Sequence, residues 1–248
     1  LYLNYKGDRT SDEWKALEKY LKKVWFANGI HHHYSNDKFR PEFSESFFRE
    51  AAASVGMDRF PADFDFLCKV IFDPAIYPTR LYQAAGADML WTSASNYYSN
   101  VRQHEAEQFY AAMAAADAGD PCPVSYGLNS QLVKEEKTGR LYERTWKVGG
   151  MYSPAIERIV YWLEKAQAVA KEPQKTNIAA LVSYYKTGDL NEFDRYNILW
   201  LQDTVSNVDF VNGFIETYGD PLGYKASWEA NVNFVDSAAC RRTRIISE

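Results

Sequence analysis

Midway along the chain the hydrophobic period changes. Leu128–Glu135 and Arg140–Val148 are two strand-like runs, with Lys137-Thr138-Gly139 between them as a hairpin turn requires. Tyr142, Trp146 and Val148 fall on one face of the second run, and Glu143 and Lys147 on the other. Gly149-Gly150 closes the unit, so 124–150 reads as a β-hairpin region. The stretches on either side carry helical spacing. The predicted fold class is therefore α+β, mostly helical with a small antiparallel β element.

The first helix is expected to start near Thr10, because Thr10 and Glu13 have capping-box spacing. Trp14, Leu17, Leu21 and Val24 recur on its apolar side, Lys15, Lys19 and Lys22 on its wet side, and Asn28-Gly29 stops it. A second helix is expected from Ser44 to about Ser54. From Gly56 to Pro78 the chain reads as irregular, rich in aromatics and with three prolines. A third helix covers Gln103 to Ala118. After the hairpin region, 153–248 reads as a helical segment. Ser153-Pro154 opens it, with Ile156, Ile159, Val160 and Leu163 as its buried stripe. Lys175–Lys186 ends at Gly188, Asp189 and Glu192 start a helix through Trp200, and a further segment, Asn207–Tyr218, runs into the turn Gly219–Gly223. Lys225 to Ile246 is expected to be helical again.

The 248 residues can bury a core as one large domain or as two small ones, and we treat 1–248 as a single fragment. No window approaches about 18 uninterrupted apolar residues, so no membrane span is expected. With 28 basic and 33 acidic residues, a formal charge of −5 and no basic block, a nucleic-acid partner is not expected. Three widely spaced cysteines give neither a disulfide framework nor a zinc knuckle and fit a reducing, cytoplasmic compartment. The chain opens at Leu1 and stops at Ile245-Ile246-Ser247-Glu248 without turn chemistry, which reads as a piece of a longer protein.

Few residues announce chemistry. His31, His32 and His33 form a triplet; extended, His31 and His33 share a face and could hold a metal given further ligands, or the triplet is a polar turn. No HExxH, P-loop, dinucleotide fingerprint or G-x-S-x-G occurs. Glu216 lies beside a tight turn, with Tyr218 two residues on. Two readings stand: a carboxylate aimed into a cleft to accept a charge-assisted hydrogen bond, or a helix-end charge with a packed tyrosine. Asp203 and Glu216 make no persuasive acid–base pair, because sequence cannot set their separation. Tyr97, Tyr98, Tyr126, Tyr152, Trp200 and Trp228 either line a groove or pack in the core.

Several strings together resemble the dipeptidyl peptidase III family of zinc aminodipeptidases, its bacterial branch most closely. They are Asn28–Tyr34 with Lys38-Phe39, Ser125–Ser130, Trp146–Ile156, Ile198–Asp203 and Gly213–Gly223, in that order along nearly the whole chain. The family carries an HExxGH motif that is not present here. The resemblance implies most of the lobe opposite the zinc, a lobe with a five-stranded β-barrel among helices, whose hairpin region would supply barrel strands and whose 153–248 segment would lead toward the catalytic lobe.

By the same resemblance the family string F-I-E-S-Y maps onto Phe214–Tyr218, with Thr217 in place of serine. It implies that Glu216 helps hold the free α-amino group of a short peptide, that Tyr218 acts catalytically near the scissile carbonyl, and that Trp200 lines the cleft. Zinc would be the cofactor of the full-length enzyme, with ligands outside this chain; no metal is expected within it, and the chain alone is expected to be inactive. Its partners would be peptides with a free N-terminus and the zinc-bearing lobe. Two alternatives are a non-catalytic peptide-binding or structural module, and a helical carbohydrate-active enzyme suggested by the tryptophans, tyrosines and scattered carboxylates.

Overall fold

A computed structural model describes residues 1–60 and 63–248. The chain forms two compact units, Leu1–Ser95 and Asn96–Glu248.

In the first unit, α1 spans Asp12–Phe26, and its cap is Ser11 rather than Thr10: Ser11 Oγ accepts from the Trp14 amide at 3.3 Å. Thr10 is held by Asp8, to which it donates its amide and its hydroxyl. Glu13 does not close a capping box. Its carboxylate accepts from the amide and hydroxyl of Ser44, the N-cap of α2 (Glu45–Val55). The stretch read as irregular contains a 3₁₀ turn, Met57–Arg59, and α3, Phe64–Phe72, capped by Asp63. The reason is a short helical stripe, Phe64, Cys68 and Ile71, which is buried; Pro61 of that stretch lies outside the described residues. A single turn, α4 (Met89–Thr92), follows. The core of this unit is largely aromatic: Phe48 stacks on Phe64, and Phe43 meets Tyr20 edge-on.

The second unit begins with β1 (Tyr98–Ser99) and α5 (Gln103–Ala116). β2 (Ser130–Lys134) and β3 (Leu141–Thr145) then pair antiparallel, with Leu132 opposite Glu143. β1 adds to β2 in parallel; two residues are too short to show a period in sequence. Trp146, just past β3, is buried with Leu128, while Glu143 on the other face is also largely enclosed instead of wet. Three helices follow: α6 (Ser153–Val169), α7 (Gln174–Thr187) and α8 (Leu190–Gln202). Gly188, in a left-handed conformation at φ +74°, ends α7, and Asp189 caps α8. α7 is the central helix, burying Ile178, Leu181, Tyr184 and Tyr185.

The remaining segment corrects the helical reading of 153–248. Val208–Glu216 is β4 and Ser227–Phe234 is β5, an antiparallel hairpin, and only Ser237–Ser247 (α9) is helical beyond it. Phe210, Asn212 and Phe214 alternate toward the core, where Phe214 is buried and Asn212 Oδ1 accepts from Tyr185 at 2.5 Å. Gly213 faces the Phe193 ring so closely that a Cβ would lie 2.7 Å from it. β5 repeats the alternation with Trp228, Ala230, Val232 and Phe234 opposite Phe214, Asn212, Phe210 and Val208. The described residues thus hold five strands in a three-stranded and a two-stranded sheet. The Ala226 amide donates to the Leu128 carbonyl at 3.0 Å and joins the start of β5 to the approach of β2. Among the described residues no helix is long and apolar enough to cross a membrane.

Candidate functional site

β4 does not run straight to its end. Phe214 pairs with Trp228, but Glu216 pairs with Ser227, so one residue of β4 is extra and a bulge falls at Ile215. In a regular strand Glu216 would share the face of Phe214 and Trp228, toward the core. The bulge turns it to the opposite face, the one carrying Glu229 of β5. There it neighbours the Glu229 carboxyl, and the interaction of the two groups raises the Glu216 pKa above the ordinary carboxylate value. Glu216 remains partly exposed. Two residues on, beyond Thr217, the Tyr218 ring is 64% exposed, so its phenol is open to a ligand.

Trp200 lies elsewhere. It is near the C-terminal end of α8, partly buried against the core of the unit, and its indole Nε1–H donates to Asp209 Oδ1 at 2.8 Å. Asp209 is at the start of β4, seven residues before Glu216, and a strand rises about 3.3 Å per residue. Glu216 and Tyr218 are neighbours along the chain, two residues apart, and Trp200 sits near the other end of the same strand, roughly 20 Å away along it.

The sequence reading missed Glu229. The signal was the period-two run Trp228-Glu229-Ala230-Asn231-Val232-Asn233-Phe234. The groove aromatics scatter: Tyr126 donates to Asp117, the Tyr152 hydroxyl accepts from Asn96 at 3.0 Å, and Trp228 Nε1–H donates to Tyr185 at 2.8 Å. The histidine triplet closes a turn. His31 is buried with Nε2 2.8 Å from the Tyr77 carbonyl, and burial lowers its pKa, while His32 Nδ1 accepts from the amides of Tyr34 and Ser35. Among the described residues no three His, Cys, Asp or Glu side chains converge to hold a metal, so these residues do not fit a zinc site by themselves.

Residues 88–247 match Peptidase family M49, and the chain belongs to that family. Among its relatives, Dipeptidyl peptidase 3 of Mus musculus is 28% identical over 163 residues, which is 65% of this chain and 19% of that protein. The Homo sapiens protein of the same name is 29% identical over 135 residues, 54% of this chain and 18% of its own length. The chain thus spans about a fifth of these relatives. Among solved structures, DPP III from Caldithrix abyssi aligns with 97% of this chain and 43% of its own at 15% identity and a TM-score of 0.46. Dipeptidyl-peptidase III from Corallococcus sp. strain EGB aligns with 61% of this chain and 27% of its own at 18% identity and a TM-score of 0.45.

Proposed function

We propose that the second unit supplies the substrate-amine and transition-state contacts of a zinc-dependent dipeptidyl peptidase: Glu216, with Glu229, grips the free N-terminal ammonium of a short peptide, Tyr218 donates to the scissile carbonyl oxygen, and Trp200 lines the peptide's path. The observation that carries this reading is the carboxyl pair created by the bulge at Ile215. Two carboxylates held together repel, and one keeps a proton past the usual range. An ammonium placed between them replaces that proton with a full positive charge and three donors. Charge-assisted hydrogen bonds of this kind contribute about 1.5–3 kcal/mol each. A peptide with an acetylated N-terminus offers no charge and only one amide donor, so the pair selects exopeptidase substrates.

Removing two residues at a time requires a fixed distance from the amine anchor to the bond that is cut. Tyr218, on the backbone two residues from Glu216, is held at a short, chain-determined distance from that anchor. A phenol donor aimed at a developing oxyanion is worth about 10²–10³ in rate. Zinc polarises a carbonyl and activates water when bound; it would be held by a segment bearing the HExxGH motif, not by these residues. The chain alone is then a binding partner of that segment without hydrolytic activity, and three unpaired cysteines suit a cytoplasmic setting.

The test uses tetra-alanine with a free or an acetylated N-terminus, followed by NMR of this chain. The free peptide should shift the Glu216, Glu229 and Tyr218 resonances, and the acetylated peptide should bind at least tenfold more weakly. Equal binding of the two peptides refutes the amine clamp. In a longer polypeptide that also carries the HExxGH segment, Glu216→Gln should raise KM for a dipeptidyl naphthylamide, and Tyr218→Phe should lower kcat about 10²-fold.

A further inference from the structure

The turn between β4 and β5 is closed by two charges that are out of contact with water. Asp220 is 1% exposed and Lys225 is 0% exposed, and neither is in the reading of the site given above. Burial of ionised groups is costly unless every polar atom finds a partner, so a network this enclosed calls for an account of what it holds in place.

Asp220 organises the turn itself. Its Oδ2 accepts from the amides of Tyr224 and Lys225, both at 2.8 Å, and its Oδ1 accepts from the Leu222 amide at 3.2 Å. Oδ2 also accepts from the Tyr98 hydroxyl at 2.8 Å, which fastens the turn to β1. Lys225 fastens the other end. Its ammonium donates to the Tyr110 hydroxyl of α5 and to Ser130 Oγ of β2 at 2.9 Å. Both hydroxyls in turn donate hydrogen bonds to Glu143 Oε1 of β3, at 2.8 and 2.6 Å, and that oxygen lies 3.5 Å from the ammonium. The Tyr110 ring lies under the ammonium at 4.6 Å, and Tyr224 stacks on the same ring.

Between these fastenings and the bulge hangs the segment Glu216–Tyr218. Beyond the strand pairing of Glu216 with Ser227 and its contact with Glu229, its ties among the described residues are the Asp220 amide, which donates to the Thr217 carbonyl at 3.0 Å, and Ser227 Oγ, which donates to the Glu216 carbonyl at 3.3 Å. A short exposed segment with so few bonds takes its position from its ends.

We propose that Asp220 and Lys225 are positioning residues: latching the turn to β1, α5, β2 and β3, they set the place and direction of Glu216 and Tyr218. The proposal rests on the function proposed for those two side chains, but it also predicts a local order that can be measured without any substrate. The latch acts through the backbone of 217–224 and touches no ligand.

The test compares this chain with Tyr98→Phe, which removes a single hydroxyl, and with Lys225→Met, which keeps the length and removes the charge. Amide hydrogen exchange is followed across the chain, together with the ratio of free to acetylated tetra-alanine binding. Exchange in 217–226 should quicken about tenfold in Lys225→Met and severalfold in Tyr98→Phe, while the amides of α7 and α8 keep their wild-type rates. The free-to-acetylated binding ratio should fall toward one in step with it. Unchanged exchange in 217–226, or a rise shared equally by α7 and α8, overturns the latch. A folding failure of Lys225→Met leaves Tyr98→Phe to decide. If wild type itself does not distinguish the two peptides, the amine clamp fails while the exchange pattern still judges the latch.

Discussion

The two hairpins of the second unit are built on opposite plans. β2 and β3 are joined by a short turn with Gly139 at φ +71°, and their pairing runs residue for residue from Ser130–Thr145 to Lys134–Leu141. Its turn and its register are set by residues adjacent in sequence. β4 and β5 are joined by 217–226, carry a bulge, and are closed by Asp220 and Lys225, whose partners come from β1, α5, β2 and β3. β5 is exposed along its whole length. A hairpin closed by its own turn can serve as scaffold, while one whose turn is closed by distant partners can be aimed, and Glu216, Glu229 and Tyr218 are on the second kind.

The largest effect should come from the residue that both hairpins share. Trp146 follows β3, is 4% exposed and packs on Phe214 of β4 with ring centroids 4.8 Å apart. Trp146→Ala should cost about 3–5 kcal/mol in urea unfolding. A loss below ~1 kcal/mol would mean that the hairpins do not lean on one core.

A pH experiment separates them next. Burial pushes the Lys225 pKa down from 10.5 to about 8, against the opposing pull of Glu143 and Asp220. Below pH 8 the amine is protonated in both folded and unfolded chains, and the folded state bears the full cost of the buried charge. Between about 8 and 10.5 the unfolded chain binds more protons, so stability rises with pH. Relative to Lys225→Met, in which other titrations largely cancel, wild type should gain about 2 kcal/mol from pH 8 to pH 10. A flat difference would show that the latch is wetter than its geometry.

Glycines give a finer comparison. Gly213→Ala forces a methyl against the Phe193 ring and should cost about 1–3 kcal/mol through overpacking. Gly139→Ala meets open space and pays only for its left-handed backbone, about 1 kcal/mol. Reversed magnitudes would place the tight fit in the wrong hairpin. The smallest effect is on titration alone: Glu229→Gln should bring the Glu216 pKa back toward the ordinary carboxylate value in an NMR titration, with little change in unfolding. An unmoved Glu216 would dissolve the pair.

Much of this was legible beforehand, and the failures have causes. The α+β class and the β2–β3 hairpin followed from period and turn chemistry, as did Ser44, Asp189 and Gly188 at the ends of their helices. Thr10 reads as the cap from its spacing to Glu13, but which hydroxyl reaches the Trp14 amide depends on Asp8 drawing Thr10 away and leaving Ser11 to cap. The alternation from Trp228 to Phe234 was on view, but a strand with no buried face uses Ala and Asn freely, so its period is weak beside a strong preceding turn. Glu216 and Tyr218 were found through the family resemblance, and nothing in their own spacing pointed to Glu229.

Residue order alone settles what depends on neighbours along the chain: the helical stripes, the caps, the first hairpin, and a string of residues shared with M49 peptidases. Tertiary structure alone decided the bulge that turns Glu216 to Glu229, the distance of Trp200 from that pair, and the burial of Lys225 beneath the turn. Each of these is a meeting of residues far apart in sequence, such as Tyr110 with Lys225. Their energies come from desolvation and from hydrogen bonds closed across the fold, quantities that have no value until the chain has packed.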